Sequence, residues 1–108
     1  MKRGDIVLAV ASGDYANPRP GLVVQSDLFN ETHASILVCL MTSDLQDAPL
    51  FRITVHPSEE NGIQAPSQIM VDKIMAIRRE KVRSRIGTAG EETMLRVNRS
   101  LMLFLGLA

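Results

Sequence analysis

An arginine between two prolines is the residue of this sequence best placed to do chemistry. Arg19 lies within Pro18-Arg19-Pro20, directly before the apolar run at residues 21–24. Proline fixes its own φ angle and favours extended geometry in the residue before it, so this arginine is held on stiff backbone. A guanidinium is planar, and its N–H groups fit phosphate oxygens in pairs. The pattern indicates a phosphate-contacting arginine; the alternative is a surface arginine in a turn before a strand.

Further polar side chains stand in or at the ends of predicted strands. Thr42 and Ser43 follow an apolar run, and Asp72 lies within another. RNA can be cleaved without a metal, because its own 2′-hydroxyl is the nucleophile. The protein must then supply a base, an acid and donors that stabilise charge on the phosphate oxygens. An arginine and a threonine hydroxyl can both act as such donors, so this set favours phosphodiester chemistry.

Metal and cofactor chemistry have little support in the sequence. His33 and His56 are isolated and lack the spacing typical of metal ligands. Cys39, the only cysteine, lies in an apolar run expected to form core. Gly87 and Gly90 are typical of a helix start and not of a phosphate-binding loop. We therefore expect no metal and no cofactor.

Composition limits the size and the partners of the protein. The 108 residues suit a single domain spanning residues 1–108, and 45% of them are apolar. Aromatic residues make up only 4%, which leaves few rings on which nucleobases could stack. The sequence shows no signal segment and no stretch of transmembrane length, so we expect a cytoplasmic protein without membrane contact.

Charge is balanced over the whole chain but not along it. Lys and Arg together number 12, as do Asp and Glu, so the formal net charge is zero. This balance argues against a protein that coats polyanions in general. Five of the eight residues from Arg78 to Arg85 are basic. They form either a local positive patch or a solvated surface turn.

Strand patterns dominate most of the chain. Apolar runs predict strands at residues 6–11, 20–25, 35–41 and 67–74, and alternating polarity predicts another at residues 51–57. Residues 75–77 can continue the strand at 67–74 past a bend. The connections are short, which favours antiparallel pairing. We expect a small, strongly bent sheet or open barrel.

One helix is predicted at the end of the chain. Met94, Val97 and Leu101 recur at helical spacing. Thr88 is expected to cap this helix, because Glu91 follows it at the spacing of a capping box. The apolar run at residues 101–104 leaves little room for a polar face, so this end is expected to be buried on more than one side, with a second subunit as one candidate partner.

The order and spacing of these motifs resemble the MazF/PemK (Kid) family of toxin endoribonucleases from bacterial toxin–antitoxin pairs. The likeness extends from Lys2 to Leu107. It implies a mostly β fold with a C-terminal helix, built as a small SH3-like barrel (CcdB/Kid/MazF-like). It also implies a homodimer with an RNA groove that spans both subunits. The segments that carry the likeness are Lys2-Arg3-Gly4-Asp5-Ile6-Val7, Arg19-Pro20-Gly21-Leu22-Val23-Val24-Gln25-Ser26-Asp27, Leu40-Met41-Thr42-Ser43, Ser67-Gln68-Ile69-Met70-Val71-Asp72-Lys73-Ile74 and Ile86-Gly87.

The resemblance implies a sequence-specific, metal-independent endoribonuclease toxin that is inhibited by a cognate antitoxin. Its substrate would be single-stranded RNA (mRNA), cleaved to 2′,3′-cyclic phosphate and 5′-hydroxyl ends. Arg19 and Thr42 match the family's catalytic arginine and threonine, and Asp72 matches an acidic position used as a base or for RNA contact. The residues expected to bind RNA are Asp14, Tyr15, Asn17, Ser43, Gln68, Arg78 and Arg79.

One position departs from the family pattern and leaves alternatives open. Some members carry an arginine, assigned as an acid, where this chain has Met70, and methionine cannot transfer a proton. The general base and acid are therefore not assigned by the resemblance. The alternatives are a non-enzymatic gyrase poison of the CcdB type and an inactive binding paralogue on the same fold. The tail at residues 104–108 lacks the tryptophan that CcdB-like proteins use.

Overall fold

Strands form most of the regular structure. Within residues 1–10 and 17–107, which the computed structural model describes, the backbone forms six strands and two α-helices. A 3-10 turn at Arg79–Lys81 connects the last two strands. The elements in chain order are β1 (Asp5–Ala9), β2 (Arg19–Val23), α1 (Asp27–Asn30), β3 (Ser35–Thr42), β4 (Arg52–Val55), β5 (Ser67–Arg78), β6 (Val82–Thr88) and α2 (Glu91–Phe104).

These strands form one antiparallel sheet in the order β4-β5-β3-β2-β1-β6. Register shifts interrupt the β1–β6 and β3–β5 pairings, and such bulges bend a sheet and increase its twist. The mostly β prediction with a C-terminal helix is confirmed. Over the described ranges, no ladder joins the edge strands β4 and β6, so the sheet is not closed.

Alternate residues of the strands bury opposite faces of the sheet. Ile6 and Leu22 belong to a cluster that contains Val97 of α2, whereas the adjacent Val7 and Val23 belong to a second cluster. Val97 is fully buried, and α2 packs against β4 and β5. Because both faces of the inner strands are buried, their sequences are continuous apolar runs and do not alternate in polarity.

The start of α2 differs from the prediction. The N-cap residue is Gly90, and it makes no side-chain capping bond. Thr88 instead ends β6, where it pairs with Asp5, and its hydroxyl donates to the carbonyl oxygen of Gly4 at 3.2 Å. The predicted capping box was wrong because this cross-strand pair holds Thr88 in the sheet, ahead of the helix.

The basic segment contains a strand that the sequence did not predict. Residues 78–85 form the end of β5, the 3-10 turn and most of β6. Arg83, Ser84 and Arg85 are exposed, so β6 lacks the apolar alternation that identifies a half-buried strand. Charged side chains are typical of an edge strand, because they discourage pairing with another chain.

Two glycines let the loop before β5 lie directly against β6. Gly62 has φ +69°, and a Cβ atom there would lie 2.0 Å from the carbonyl oxygen of Ile86. A Cβ atom on Gly87 would lie 2.3 Å from the carbonyl oxygen of Asn61. Both positions therefore require glycine, and the close approach fixes the loop at residues 62–65 beside β6.

Replacing Gly62 with alanine is expected to lower the free energy of unfolding by about 2–5 kcal/mol, because left-handed backbone strain adds to the clash with Ile86. Gly106 is the matched control: its φ is +73°, but no atom lies within 4 Å of the position of an added Cβ. Gly106→Ala should cost only about 1 kcal/mol, from backbone strain alone. Urea unfolding measures both. Equal losses would show that the contact with β6 is not tight.

Candidate active site

A cavity of about 530 Å³ lies at the ends of β2 and β3. It combines an apolar wall with a few polar groups, which is the character of a ligand site. The apolar lining comes from Leu8, Pro20, Met41, Ile63, Ala65 and Ile86. The other lining residues are Arg19, Thr42, Ser43, Gly62, Gln64 and Ser67.

Arg19 and Thr42, the two residues predicted to act on a phosphate, line this same cavity. The sheet register explains their meeting. Gly21 of β2 pairs with Leu40 of β3, and continuing that antiparallel register places Arg19 across from Thr42. Cross-strand neighbours have Cβ atoms about 5 Å apart, a spacing at which two donors can reach the oxygens of one phosphate.

The Thr42 hydroxyl is held by the turn that follows it. Thr42 is half-buried, and its Oγ1 accepts a hydrogen bond from the backbone N–H of Asp44 at 3.1 Å. A hydroxyl has one proton to donate besides its acceptor lone pairs. No hydrogen bond among the described residues uses that proton, so Thr42 can donate it to a ligand in the cavity.

Two of the residues predicted to bind RNA are close in sequence to Arg19 and Thr42, and two others lie outside the described residues. Ser43 is exposed and lines the cavity. Asn17 is exposed in the segment that leads into β2. Asp14 and Tyr15 lie outside the described residues.

Gln68 is buried, in contrast to the expected RNA contact. It is 5% exposed and does not line the cavity. Its Oε1 accepts from Nη1 of Arg52 and from the backbone N of Gln46, each at 3.0 Å. Its Nε2 donates to the backbone oxygen of Gln46 at 3.0 Å and to Oγ1 of Thr54 at 3.3 Å. All four hydrogen bonds that a side-chain amide can form are therefore made within the protein.

Asp72, the predicted catalytic carboxylate, is not among the residues that line the cavity. Its side chain is 24% exposed, and its Oδ2 lies 4.0 Å from Nζ of Lys73. Its Oδ1 is buried and has no hydrogen-bond partner among the described residues. The structure thus brings Arg19 and Thr42 together and leaves Asp72 apart from them.

The two predicted RNA-binding arginines of the basic segment have different surroundings. Arg78 is exposed, and its Nε lies 3.1 Å from Oε1 of Glu80. The guanidinium of Arg79 donates to the backbone oxygens of Asn30 and His33 and so ties the loop after α1 to the sheet. Arg78 is therefore accessible to a ligand, whereas the hydrogen bonds of Arg79 serve the fold.

The thiol of Cys39 is buried and is a poor candidate for a nucleophile. Burial raises its pKa to about 12, with a smaller lowering by Arg3 and a smaller raising by Asp72. A thiol that stays protonated at neutral pH is a poor nucleophile. Within residues 1–10 and 17–107, no three His, Cys, Asp or Glu side chains are grouped so as to hold a metal ion. None of the helices in these ranges has the length and apolar character needed to span a membrane.

Comparison with known proteins covers almost the entire chain. Residues 2–105 match the family described as PemK-like, MazF-like toxin of type II toxin-antitoxin system. A Mycolicibacterium smegmatis relative, named probable endoribonuclease MazF, is 41% identical over an alignment of 109 positions that covers 100% of this chain and 99% of the relative. Endoribonuclease EndoA of Bacillus subtilis is 27% identical over an alignment of 111 positions that covers 99% of this chain and 96% of that protein.

A solved structure shares the fold. It is an endoribonuclease in complex with its cognate antitoxin from a mycobacterial species. The TM-score is 0.84 at 19% sequence identity, and the match covers 100% of this chain and 97% of the other.

Proposed function

Because this chain belongs to the PemK-like, MazF-like toxin family of type II toxin–antitoxin systems, we propose that it is a sequence-specific endoribonuclease toxin that cleaves single-stranded RNA. The observation that carries the proposal is a single cavity lined by both Arg19 and Thr42. A relative that is 41% identical over the whole chain is named as an endoribonuclease, which supports the same activity.

The proposed reaction uses the 2′-hydroxyl of the RNA as nucleophile. A bond forms between the 2′-oxygen and phosphorus, and the bond between phosphorus and the 5′-oxygen breaks. The proton of the 2′-hydroxyl passes to a base, and the leaving 5′-oxygen takes a proton from an acid. The products are a 2′,3′-cyclic phosphate and a 5′-hydroxyl, and the net reaction needs no metal.

Arg19 and Thr42 stabilise the charge that develops on the phosphate oxygens. The guanidinium supplies a fixed positive charge and paired N–H donors, and the threonine hydroxyl supplies one more donor. Donors already in place when charge develops contribute much of the rate enhancement in such sites. Met70 is 5% exposed within the second core cluster and has no proton to transfer, so another group supplies the acid.

The remaining polar residues bind RNA around the reacting phosphate. Asn17, Ser43 and Arg78 are exposed and can contact the RNA chain. Asp72 does not line the cavity, so we propose that it contacts RNA away from the reacting phosphate. Because the formal net charge of the protein is zero, its attraction to RNA must come from local positive charge such as that of Arg78.

The partners proposed are a second copy of this chain and a cognate antitoxin. A dimer is supported by apolar side chains at the end of α2, where Met102, Leu103, Phe104 and Leu105 are 46–55% exposed.

An antitoxin is supported by family membership and by the similar endoribonuclease solved with its cognate antitoxin. An acidic antitoxin segment would compete with RNA for the same groove. A cytoplasmic location is proposed with the mRNA substrate, which supports it.

The purified protein is expected to cut single-stranded RNA at full rate in EDTA, because the nucleophile belongs to the substrate and the proposed donors belong to the protein. The new ends should carry a 2′,3′-cyclic phosphate and a 5′-hydroxyl, which mass spectrometry of the fragments identifies. An RNA with a 2′-deoxyribose at the cleavage position is the matched control and should remain intact. Cleavage of that control, or loss of activity in EDTA, would contradict the proposed reaction.

A further inference from the structure

Gln68 occupies the centre of a polar row that crosses three strands. It pairs with Thr42 in the β3–β5 register and with Thr54 in the β4–β5 register. Directly paired residues of antiparallel strands project their side chains from the same face, with Cβ atoms about 5 Å apart. Gln68 is therefore the immediate neighbour of the threonine that lines the cavity.

The amide of Gln68 holds the segment that follows Thr42. It both accepts from the backbone N–H of Gln46 and donates to the backbone oxygen of the same residue. Adjacent antiparallel strands exchange the same pair of bonds. Gln46 belongs to no strand, so the Gln68 side chain supplies the pairing that a sheet ladder would otherwise provide.

Arg52 adds a second attachment to the same segment. It is 9% exposed, and its Nη1 donates to the backbone oxygen of Asp44 and to Oε1 of Gln68, each at 3.0 Å. Its Nε is buried without a hydrogen-bond partner among the described residues. A buried guanidinium that lacks some of its hydrogen bonds lowers the stability of the fold. A position that served only to fill the core would favour an apolar side chain, so Arg52 is not explained by packing alone.

Asp44 connects these attachments to Thr42. Its N–H donates to Oγ1 of Thr42, and its backbone oxygen accepts from Arg52. The N–H occupies one side of the hydroxyl oxygen, so the hydroxyl proton must point elsewhere. The position of the Asp44 backbone therefore restricts how the Thr42 hydroxyl can be oriented.

We propose that Gln68 and Arg52 are positioning residues: they hold Asp44 and Gln46 so that the Thr42 hydroxyl is directed at the reacting phosphate. This inference rests on the proposed function, because the two residues do no chemistry of their own. Without them, residues 43–47 would lose their side-chain attachments to β4 and β5, and the Asp44 N–H would no longer be held in a fixed position beside the Thr42 hydroxyl. A misplacement of about 1 Å can lower a rate on the order of 100-fold.

Gln68→Met tests the proposal, since methionine has similar length but forms none of these four bonds. We expect kcat for RNA cleavage to fall by about 10- to 100-fold, with KM changed less than about threefold. Arg52→Met should act in the same direction, and Arg52→Lys should restore part of the rate by returning a donor. If Gln68→Met does not fold, the two Arg52 variants carry the test.

Gln25 provides the matched control. It is also a buried glutamine, 8% exposed, with an amide that bonds the backbone of Ser35 and Leu37 at 3.1 and 3.2 Å. It does not line the cavity. Gln25→Met should lower the melting temperature and leave kcat unchanged in the folded protein. An equal loss of kcat in both glutamine variants would overturn the proposal.

A double-mutant cycle separates positioning from a structural role. In a Thr42→Val background, Gln68→Met should lower the single-turnover rate by less than about threefold, because the hydroxyl that it orients is absent. The same fold-loss in both backgrounds, or an unchanged kcat in Gln68→Met alone, would overturn the inference while the proposed function stands. A wild-type protein that leaves RNA intact would overturn both.

Discussion

Arg19→Ala is expected to lower kcat/KM for RNA cleavage by at least about 100- to 1000-fold, the effect of removing a principal donor to a developing oxyanion. The loss should be large because the guanidinium combines a permanent charge with paired donors on backbone held by Pro18 and Pro20. Arg19→Lys keeps the charge but not the planar fork, so it should recover only part of the rate. A short RNA with a fluorophore and a quencher measures both rates.

Arg99→Ala is the control for Arg19, because it removes one positive charge from an exposed arginine of α2 that does not line the cavity. It should change kcat/KM less than about threefold, as expected for a charge that acts only through general attraction to RNA. Circular dichroism would show that both variants are folded. Equal losses in Arg19→Ala and Arg99→Ala would mean that Arg19 provides only general attraction, and the proposed catalytic role would be wrong.

Thr42→Val should lower kcat on the order of 100-fold, since it removes one hydrogen-bond donor to the transition state with little change in side-chain shape. KM should change little, because the hydroxyl is proposed to bind more strongly as charge develops on the phosphate. Thr42→Ser keeps the hydroxyl and should retain most of the activity. The measurement is single-turnover cleavage with enzyme in excess.

Thr32→Val is the matched control for the loss of a threonine hydroxyl, because Thr32 is exposed just after α1 and does not line the cavity. Its cleavage rate should equal that of the wild type. Full activity of Thr42→Val would remove this hydroxyl from the mechanism, and with it the reason for orienting it through Gln68.

Local patterns in the sequence were enough to predict most of the elements that carry the site. Apolar runs predicted β1, β2, β3 and β5, and helical spacing predicted α2, because these periodicities follow from the geometry of one element at a time. The family resemblance carried by these segments is confirmed by the match over residues 2–105. The assignment of Arg19 and Thr42 to catalysis stays a prediction that the proposed variants test, and the catalytic role of Asp72 also stays a prediction.

The errors lie where a partner distant in sequence overrides a local signal. Thr88 has the spacing of a helix cap, but pairing with β1 holds it in the sheet. β6 was missed because, as an edge strand, it carries charged residues where a half-buried strand would alternate. Gln68, predicted to bind RNA, is buried, and its side-chain amide makes all four of its hydrogen bonds within the protein. No pattern in the sequence indicates that neighbouring groups form these bonds.

The sequence alone determined the types of residue available for phosphate chemistry and the stiff backbone around Arg19. Only the tertiary structure decided which of these residues meet. The β2–β3 register brings Arg19 to the same cavity as Thr42, while Asp72 does not line it. The physical reason is that register and burial arise from pairing between segments far apart along the chain, whereas propensity and periodicity report only on residues close together in it.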